Sequence, residues 1–477
     1  MHRHATPRRA RVATLAPCIV NIVYIAAAVS GCTRARPGPL EIRGDVDAFD
    51  QRELHAAGAR GETLGVRVVD AGGAALALPD LDVHGYGVLN VRVRRPSTAL
   101  YGGSTGAGDH ADELVPDAGA PSYFEIAIPP DAAIGAHRGV LIAAGRAIPV
   151  VVDVARAQLP PLAIGAWAEY DPRSLGASMF VPTAAEYACA AMFRARGVQL
   201  VPAMPLAAWP LREPLVGDAR YVPVDLPDEP AAAAAAVRAW IALLAGTGKT
   251  PFAIPIDEPH GQAARERVRA FADVVRAAGG GPGRFLFAVT DEPRAEYGDV
   301  IDVYITPRPT RTDAFARWTY NGAPPRAGAM VVDAAPPGLR TWGWIAWRYR
   351  IPIWYAWQAL YWEDRYNHRG LPPRPLDARA DARSFDDGED RGNLDGVLAL
   401  PGCHPTLRLA ALRRGLEDKA LLDAAARCDR AAAEAIAAEL VPRALGEASG
   451  EAAWPTDDVT WERARRRLLD LAGCSAP

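Results

Sequence analysis

Lysine is almost missing from this chain: of 53 basic residues, only Lys249 and Lys419 are lysines. That bias reflects the base composition of a gene more than a function. No run of basic residues occurs, and the formal net charge is −3, which argues against a nucleic-acid surface. CxxC pairs are absent, so a zinc site has no ligand framework. No glycine-rich turn follows an apolar strand, which excludes the usual dinucleotide-binding crevice. The segment GTGKT at 246–250 has Leu243 where a phosphate loop needs glycine. It also lies between a helix and a strand, the reverse of the required order, and reads as a helix-ending turn.

What is present begins with a leader. MHRHATPRRARV carries four arginines and no acid, and the apolar stretch LAPCIVNIVYIAAAVSG follows it. Residues 1–31 read as a secretory signal. Small residues directly before Cys32 resemble the lipobox of bacterial lipoproteins. The resemblance implies cleavage before Cys32, lipidation of its thiol and an exported protein held at the cell envelope. Residues 32–40 read as a tether. Four further cysteines (Cys189, Cys403, Cys428 and Cys474) allow three full pairings, and export permits disulfides.

From 41 to 158 the chain alternates short apolar strands such as TLGVRVVD, YFEIAIPP and AIPVVVDV with turns of Gly, Pro and Asp. This spacing predicts a β-sandwich, with 101–122 as a long surface loop. At 159 the pattern changes to buried strands alternating with helices. An α/β fold is expected over 159–428, as a (β/α)8 TIM-like barrel, with an open doubly wound sheet as the alternative. Helices over 429–477 are expected to pack on its outside.

The tripeptide Asp-Glu-Pro occurs three times. The copy at 228–230 precedes an alanine-rich helix, where acids favour the helix start. The copy at 257–259 comes directly after the apolar strand PFAIPI and before a long helix. Strand C-termini face the active site in a parallel barrel, so Asp257 and Glu258 are the candidate catalytic pair. The copy at 291–293 also follows a strand, RFLFAVT, but leads into a short polar turn. SFDDGEDRGNLDG at 384–396 lacks EF-hand spacing and reads as a mobile barrel loop.

The segments LRTWGWIAWRYRIPIWYAWQALYWEDRYN, GVLALPG and PTLRLAALRRGLEDKALLDAA resemble glycoside hydrolase family 123 and the related domain of unknown function 4091 group. The resemblance covers about residues 160–430 and is most specific in RRGLEDKALL. It implies a β-sandwich followed by a barrel, and an exo-acting β-N-acetylgalactosaminidase. It also implies that FAIPIDEP carries the catalytic pair and that the third pair is incidental. Adjacent carboxylates suit substrate-assisted hydrolysis, an exception to the usual division between two opposed carboxyls. Asp257 would then orient the sugar's 2-acetamido N–H, and Glu258 would serve as acid and base. Mutual repulsion is expected to separate their pKa values.

A sugar face stacks on flat rings while its hydroxyls need polar partners. Trp357, Tyr361 and Trp362 are the first candidates to bind the carbohydrate, followed by Trp167, Glu169 and Tyr304. No metal or cofactor is expected. Two other readings stand beside this one. The first is a lipoprotein that binds glycans, or serves the envelope structurally, without cleaving them. The second is a glycosidase for sugars without an acetamido group, pairing Glu258 with a distant carboxylate, Glu169 or Asp291.

Overall fold

The computed structural model describes residues 39–69, 73–116, 118–313, 316–364, 374–375, 377–386 and 388–475. Cys32 and the leader lie outside them. Two five-stranded sheets come first. One runs in the order Glu41–Gly44, Thr63–Val69, Tyr123–Ala127, Asp82–Val93, Gly108–Pro116 and is antiparallel throughout. The other is Ala48–Phe49, Leu54–Arg60, Arg146–Gln158, Gly135–Ala143, Ala74–Ala77, with a single parallel pairing between Leu54–Arg60 and Arg146–Gln158. Alternation sends Leu64, Val66 and Val68 from the first sheet and Leu141, Val150 and Val152 from the second into one shared core. The surface loop expected over 101–122 contains a nine-residue strand, Gly108–Pro116, paired with Asp82–Val93. Its Gly and Asp residues mask a strand covered on both faces, where consecutive Asp112, Glu113 and Leu114 are buried against later parts of the chain.

Eight parallel strands follow: β1 (Ala166–Ala168), β2 (Val198–Leu200), β3 (Tyr221–Pro223), β4 (Thr250–Ala253), β5 (Leu286–Val289), β6 (Val303–Ile305), β7 (Arg317–Tyr320) and β8 (Trp354–Ala356). Their order is β2-β1-β8-β7-β6-β5-β4-β3. The expected (β/α)8 barrel is not what forms. The sheet curls but stays open, because β2 and β3 share no ladder, and one bridge, Met204 to Val224, links the segments beyond them. The sequence accounts for the gap. Pro202 and Pro205 follow β2, while Pro223 and Pro227 bracket the other edge, and proline cannot donate to a ladder. The helical layer is also incomplete. Residues 290–302, whose one helical piece is the three-residue turn Ala295–Tyr297, join β5 to β6, and proline-containing residues 306–316 join β6 to β7.

Helices α1 (Ala184–Arg194), α2 (Trp209–Val216), α3 (Pro230–Leu244), α4 (Gly261–Ala277) and α5 (Thr341–Tyr349) occupy the remaining connections. In α4, Val268, Ala272 and Val275 recur at helical spacing and are the buried face. Beyond β8 come α6 (Leu407–Cys428), α7 (Arg430–Leu440) and α8 (Asp458–Ala472). Disulfides join Cys189 to Cys403 and Cys428 to Cys474, which selects one of the three pairings.

Helix α6 carries RRGLED with its charges inside the protein. Arg414 meets Asp45 at 2.9 Å and Glu462 at 3.0 Å, and also binds Glu62. Arg465 binds Glu62 and reaches Asp418 at 2.6 Å, while Arg340 reaches Asp418 at 3.0 Å and Glu462 at 2.7 Å. Arg413 and Arg196 converge on Glu125 at 2.7 and 3.1 Å. These pairs tie the first two sheets to α6 and α8. Removing one partner from such a pair leaves a desolvated charge and costs about 3–5 kcal/mol.

Candidate active site

Inside the curl, alternate residues form an aromatic floor. Trp167 stacks on Tyr355 with ring centroids 4.4 Å apart and meets the edge of Phe252 at 5.0 Å. Phe252 meets Trp318 at 4.8 Å, and Trp318 meets Tyr221 at 4.9 Å. Above this layer lies a cavity of about 600 Å³. Asp257, Glu258, Thr290, Tyr320, Asn321, Tyr355, Trp357, Tyr361 and Asp395 are part of its wall. A smaller pocket of about 230 Å³ opens beside it, lined by Trp167, Glu169, Asp225, Asp257, Tyr355 and Trp357. Asp257 therefore faces both spaces, and Glu258 faces the larger one.

The turn after β4 separates the two neighbours. Glu258 has φ 40°, a left-handed conformation that costs a non-glycine residue on the order of 1 kcal/mol. Thr290, just past β5, holds that turn. Its hydroxyl accepts the Glu258 N–H at 2.6 Å and donates to Asp257 Oδ1 at 2.6 Å. Asp257 Oδ2 keeps no hydrogen-bond partner among the described residues. Tyr320, at the end of β7, donates its hydroxyl to Glu258 Oε1 at 3.1 Å. Burial and the neighbouring Glu258 carboxylate raise the Tyr320 pKa well above its ordinary value, so the phenol keeps its proton and remains a donor.

The other two acidic pairs are occupied structurally. Glu229, with Pro230 behind it, caps α3 by accepting from Ala231 N and Ala232 N at 3.0 and 2.7 Å. The cap of the Asp228-Glu229-Pro230 copy is its glutamate, and Pro230 is the first residue of the helix. Asp291 accepts from Arg294 Nε and the Tyr297 hydroxyl, both at 2.6 Å. Burial raises the Asp291 pKa, but those hydrogen bonds outweigh it and hold the carboxyl below its usual range. Glu292 accepts from Thr306 at 2.5 Å.

The aromatic candidates divide between several surroundings. Trp357 and Tyr361 line the large cavity, their centroids 5.9 Å apart. Trp362 instead packs between core clusters and donates its indole N–H to Ala399 O at 3.0 Å. Trp167 and Glu169 line the smaller pocket. Glu169 accepts the Tyr355 hydroxyl at 2.5 Å, and burial, with Asp257 nearby, raises its pKa against the opposing pull of that bond. Tyr304 lies outside the curl with Tyr297, because its neighbours Val303 and Ile305 take the inner face of β6.

Sequence reasoning missed Thr290, Tyr320, Asn321 and Asp395. Thr290 and Tyr320 carry a usable signal, since each sits at the C-terminal end of a parallel strand, Thr290 on the strand next to the one bearing the acidic pair and Tyr320 three strands along. Asn321, at φ 41°, follows Tyr320 and accepts the Trp357 N–H at 3.1 Å. Asp395 carries no such signal. Among the described residues no group of three or more His, Cys, Asp or Glu side chains is arranged to hold a metal. The pair and its wall offer two carboxylates at adjacent positions, a phenol donor on one of them and flat rings beside both.

Comparison with solved structures aligns 92% of this chain with 98% of a family 123 glycoside hydrolase from Clostridium perfringens, at a TM-score of 0.57 and 9% identity. That structure was analysed for glycolipid glycan hydrolysis. A glycosyl hydrolase family 2 member from Bacteroides cellulosilyticus aligns with 67% of this chain and 46% of its own, at 10% identity and a TM-score of 0.24, which carries no weight. No protein-family profile matches the sequence, and no curated protein is similar to it. The fold is thus shared with a glycoside hydrolase.

Proposed function

We propose that the protein is a glycoside hydrolase acting on terminal β-linked 2-acetamido sugars, exported and anchored through a lipid on Cys32. The observation that carries the reading is the Asp257–Glu258 turn, in which one hydroxyl, that of Thr290, binds Asp257 and the Glu258 backbone together. Asp257 Oδ2 accepts the acetamido N–H and orients its carbonyl oxygen toward the anomeric carbon. That oxygen bonds to C1 as the C1–O bond to the leaving group breaks, and Glu258 gives its proton to the departing oxygen. Water then attacks C1, the ring formed by the acetamido oxygen opens, and Glu258 recovers the water's proton. The likeness to a family 123 enzyme supports the fold half of this reading. The Arg294 and Tyr297 bonds on Asp291 disfavour a partnership between Glu258 and that residue.

The test is turnover of aryl β-glycosides of N-acetylgalactosamine, N-acetylglucosamine, galactose and glucose. Activity confined to the acetamido sugars is expected, lost on the order of a thousandfold in Glu258→Gln or Asp257→Asn and kept in Asp291→Asn. Equal activity on galactose or glucose, or loss with Asp291→Asn, overturns the assignment.

A further inference from the structure

Asp395 comes from the acidic, glycine-containing segment whose hairpin is Arg383–Asp386 and Arg391–Asn393. It lines the cavity of Asp257 and Glu258 alongside Tyr101, Tyr361 and Ser384. The placement is built. Leu394 adopts φ 52° and buries its own side chain in the core, a left-handed turn that β-carbon crowding disfavours. Gly396 follows at φ 78°, where a β-carbon would meet Trp357 O at 2.0 Å. Buried Asp333 fastens the hairpin to the earlier segment bearing Tyr101, bonding Ser97 N at 2.8 Å and Asn393 Nδ2 at 3.1 Å.

For all that framing, the Asp395 carboxyl makes no hydrogen bond among the described residues. Arg408, the nearby cation, is committed elsewhere, to Asp112 at 2.8 Å and to Leu394 O at 2.9 Å. Burial pushes the Asp395 pKa up to about 7, with Arg408 opposing it. Asp395 is half-buried on the cavity wall, so its unused acceptor capacity is open to whatever the cavity holds. A carboxyl offers two oxygens with about four acceptor sites, which suits hydroxyl groups on one sugar ring.

Resting on the glycosidase reading above, we propose that Asp395 binds ring hydroxyls of the sugar held at Asp257 and Glu258, and so selects which hydroxyl pattern is accepted. The full chain, Asp395→Asn and Asp395→Ala are assayed with the aryl β-glycoside of N-acetylgalactosamine and its 3-, 4- and 6-deoxy forms. One deoxy form is expected to lower wild-type kcat/KM on the order of ten- to hundredfold. Both variants should show that loss on the parent glycoside and no further loss on the deoxy form. Parent activity unchanged in Asp395→Asn, or a full deoxy penalty persisting in it for all three compounds, overturns the proposal. If Asp395→Ala fails to fold by circular dichroism, the isosteric Asn variant carries the test. If the wild type turns over none of them, the glycosidase reading fails, and calorimetric binding of free N-acetylgalactosamine and its deoxy forms decides Asp395 separately. Binding with a hydroxyl dependence that Asp395→Asn abolishes sustains the proposal, and absence of binding overturns it.

Discussion

Thr290 contributes one hydroxyl to the site, and two functional groups depend on it. It accepts from the Glu258 backbone and donates to Asp257, so it both stabilises a left-handed turn and leaves a defined oxygen of Asp257 for substrate. Thr290→Val keeps the shape and removes both bonds. The expected result is a drop in kcat of about tenfold to a hundredfold in glycoside turnover, with Thr290→Ser restoring most of it. A variant that lowers only thermal stability would assign Thr290 a purely structural role. At this scale the sequence was informative where chemistry is local: FAIPIDEP displays an acidic pair at a strand end. Thr290, Tyr320 and Asp395 lie 32 or more positions away from Glu258, and only the curl of the sheet brings them to it. The first pair was legible as a helix start, and its Glu229 caps α3.

Among the elements, α5 and α6 cross with their backbones in contact. A β-carbon on Gly343 would fall 1.6 Å from Gly415 O, and one on Gly415 would fall 2.5 Å from Arg340 O. Neither neighbour is a flexible side chain, so the helices would have to part. Gly343→Ala should lose about 3 kcal/mol in denaturant unfolding, whereas Gly246→Ala, where a β-carbon meets open space, tests only the strain of a positive φ. Strands and helices of 159–428 were largely readable, because buried runs and amphipathic spacing leave plain patterns. Other features were not. The strand Gly108–Pro116 buries acids on the inside, which inverts the expected polarity, and the edge prolines that keep the sheet open are individually ordinary loop residues. Helix α6 is buried on most faces and carries its charges inward, so its sequence looks like a solvated helix.

Taken whole, the molecule is joined by charge. Five buried arginines (Arg196, Arg340, Arg413, Arg414 and Arg465) face six carboxyls (Asp45, Glu62, Glu125, Glu417, Asp418 and Glu462) among the described residues. One carboxyl in excess favours a retained proton, and Glu417 is its place: burial, partly opposed by Arg413, raises its pKa to about 8. A carboxyl whose folded pKa exceeds its unfolded one binds more protons when folded. Its contribution to stability is complete below about pH 4.5 and is lost as pH rises through about 8. Glu417→Gln should therefore flatten the fall in stability over that interval, read from urea unfolding at stepped pH. An unchanged slope would place the proton elsewhere.

The same charges set a timetable for synthesis. A chain made from its N-terminus presents Glu62 long before its partners, since Arg414 arrives 352 residues later and Arg465 403 residues later. Until then Glu62 has neither of these two partners, and burying its carboxylate is unfavourable. Docking of these sheets is therefore expected to follow synthesis of α6 and α8.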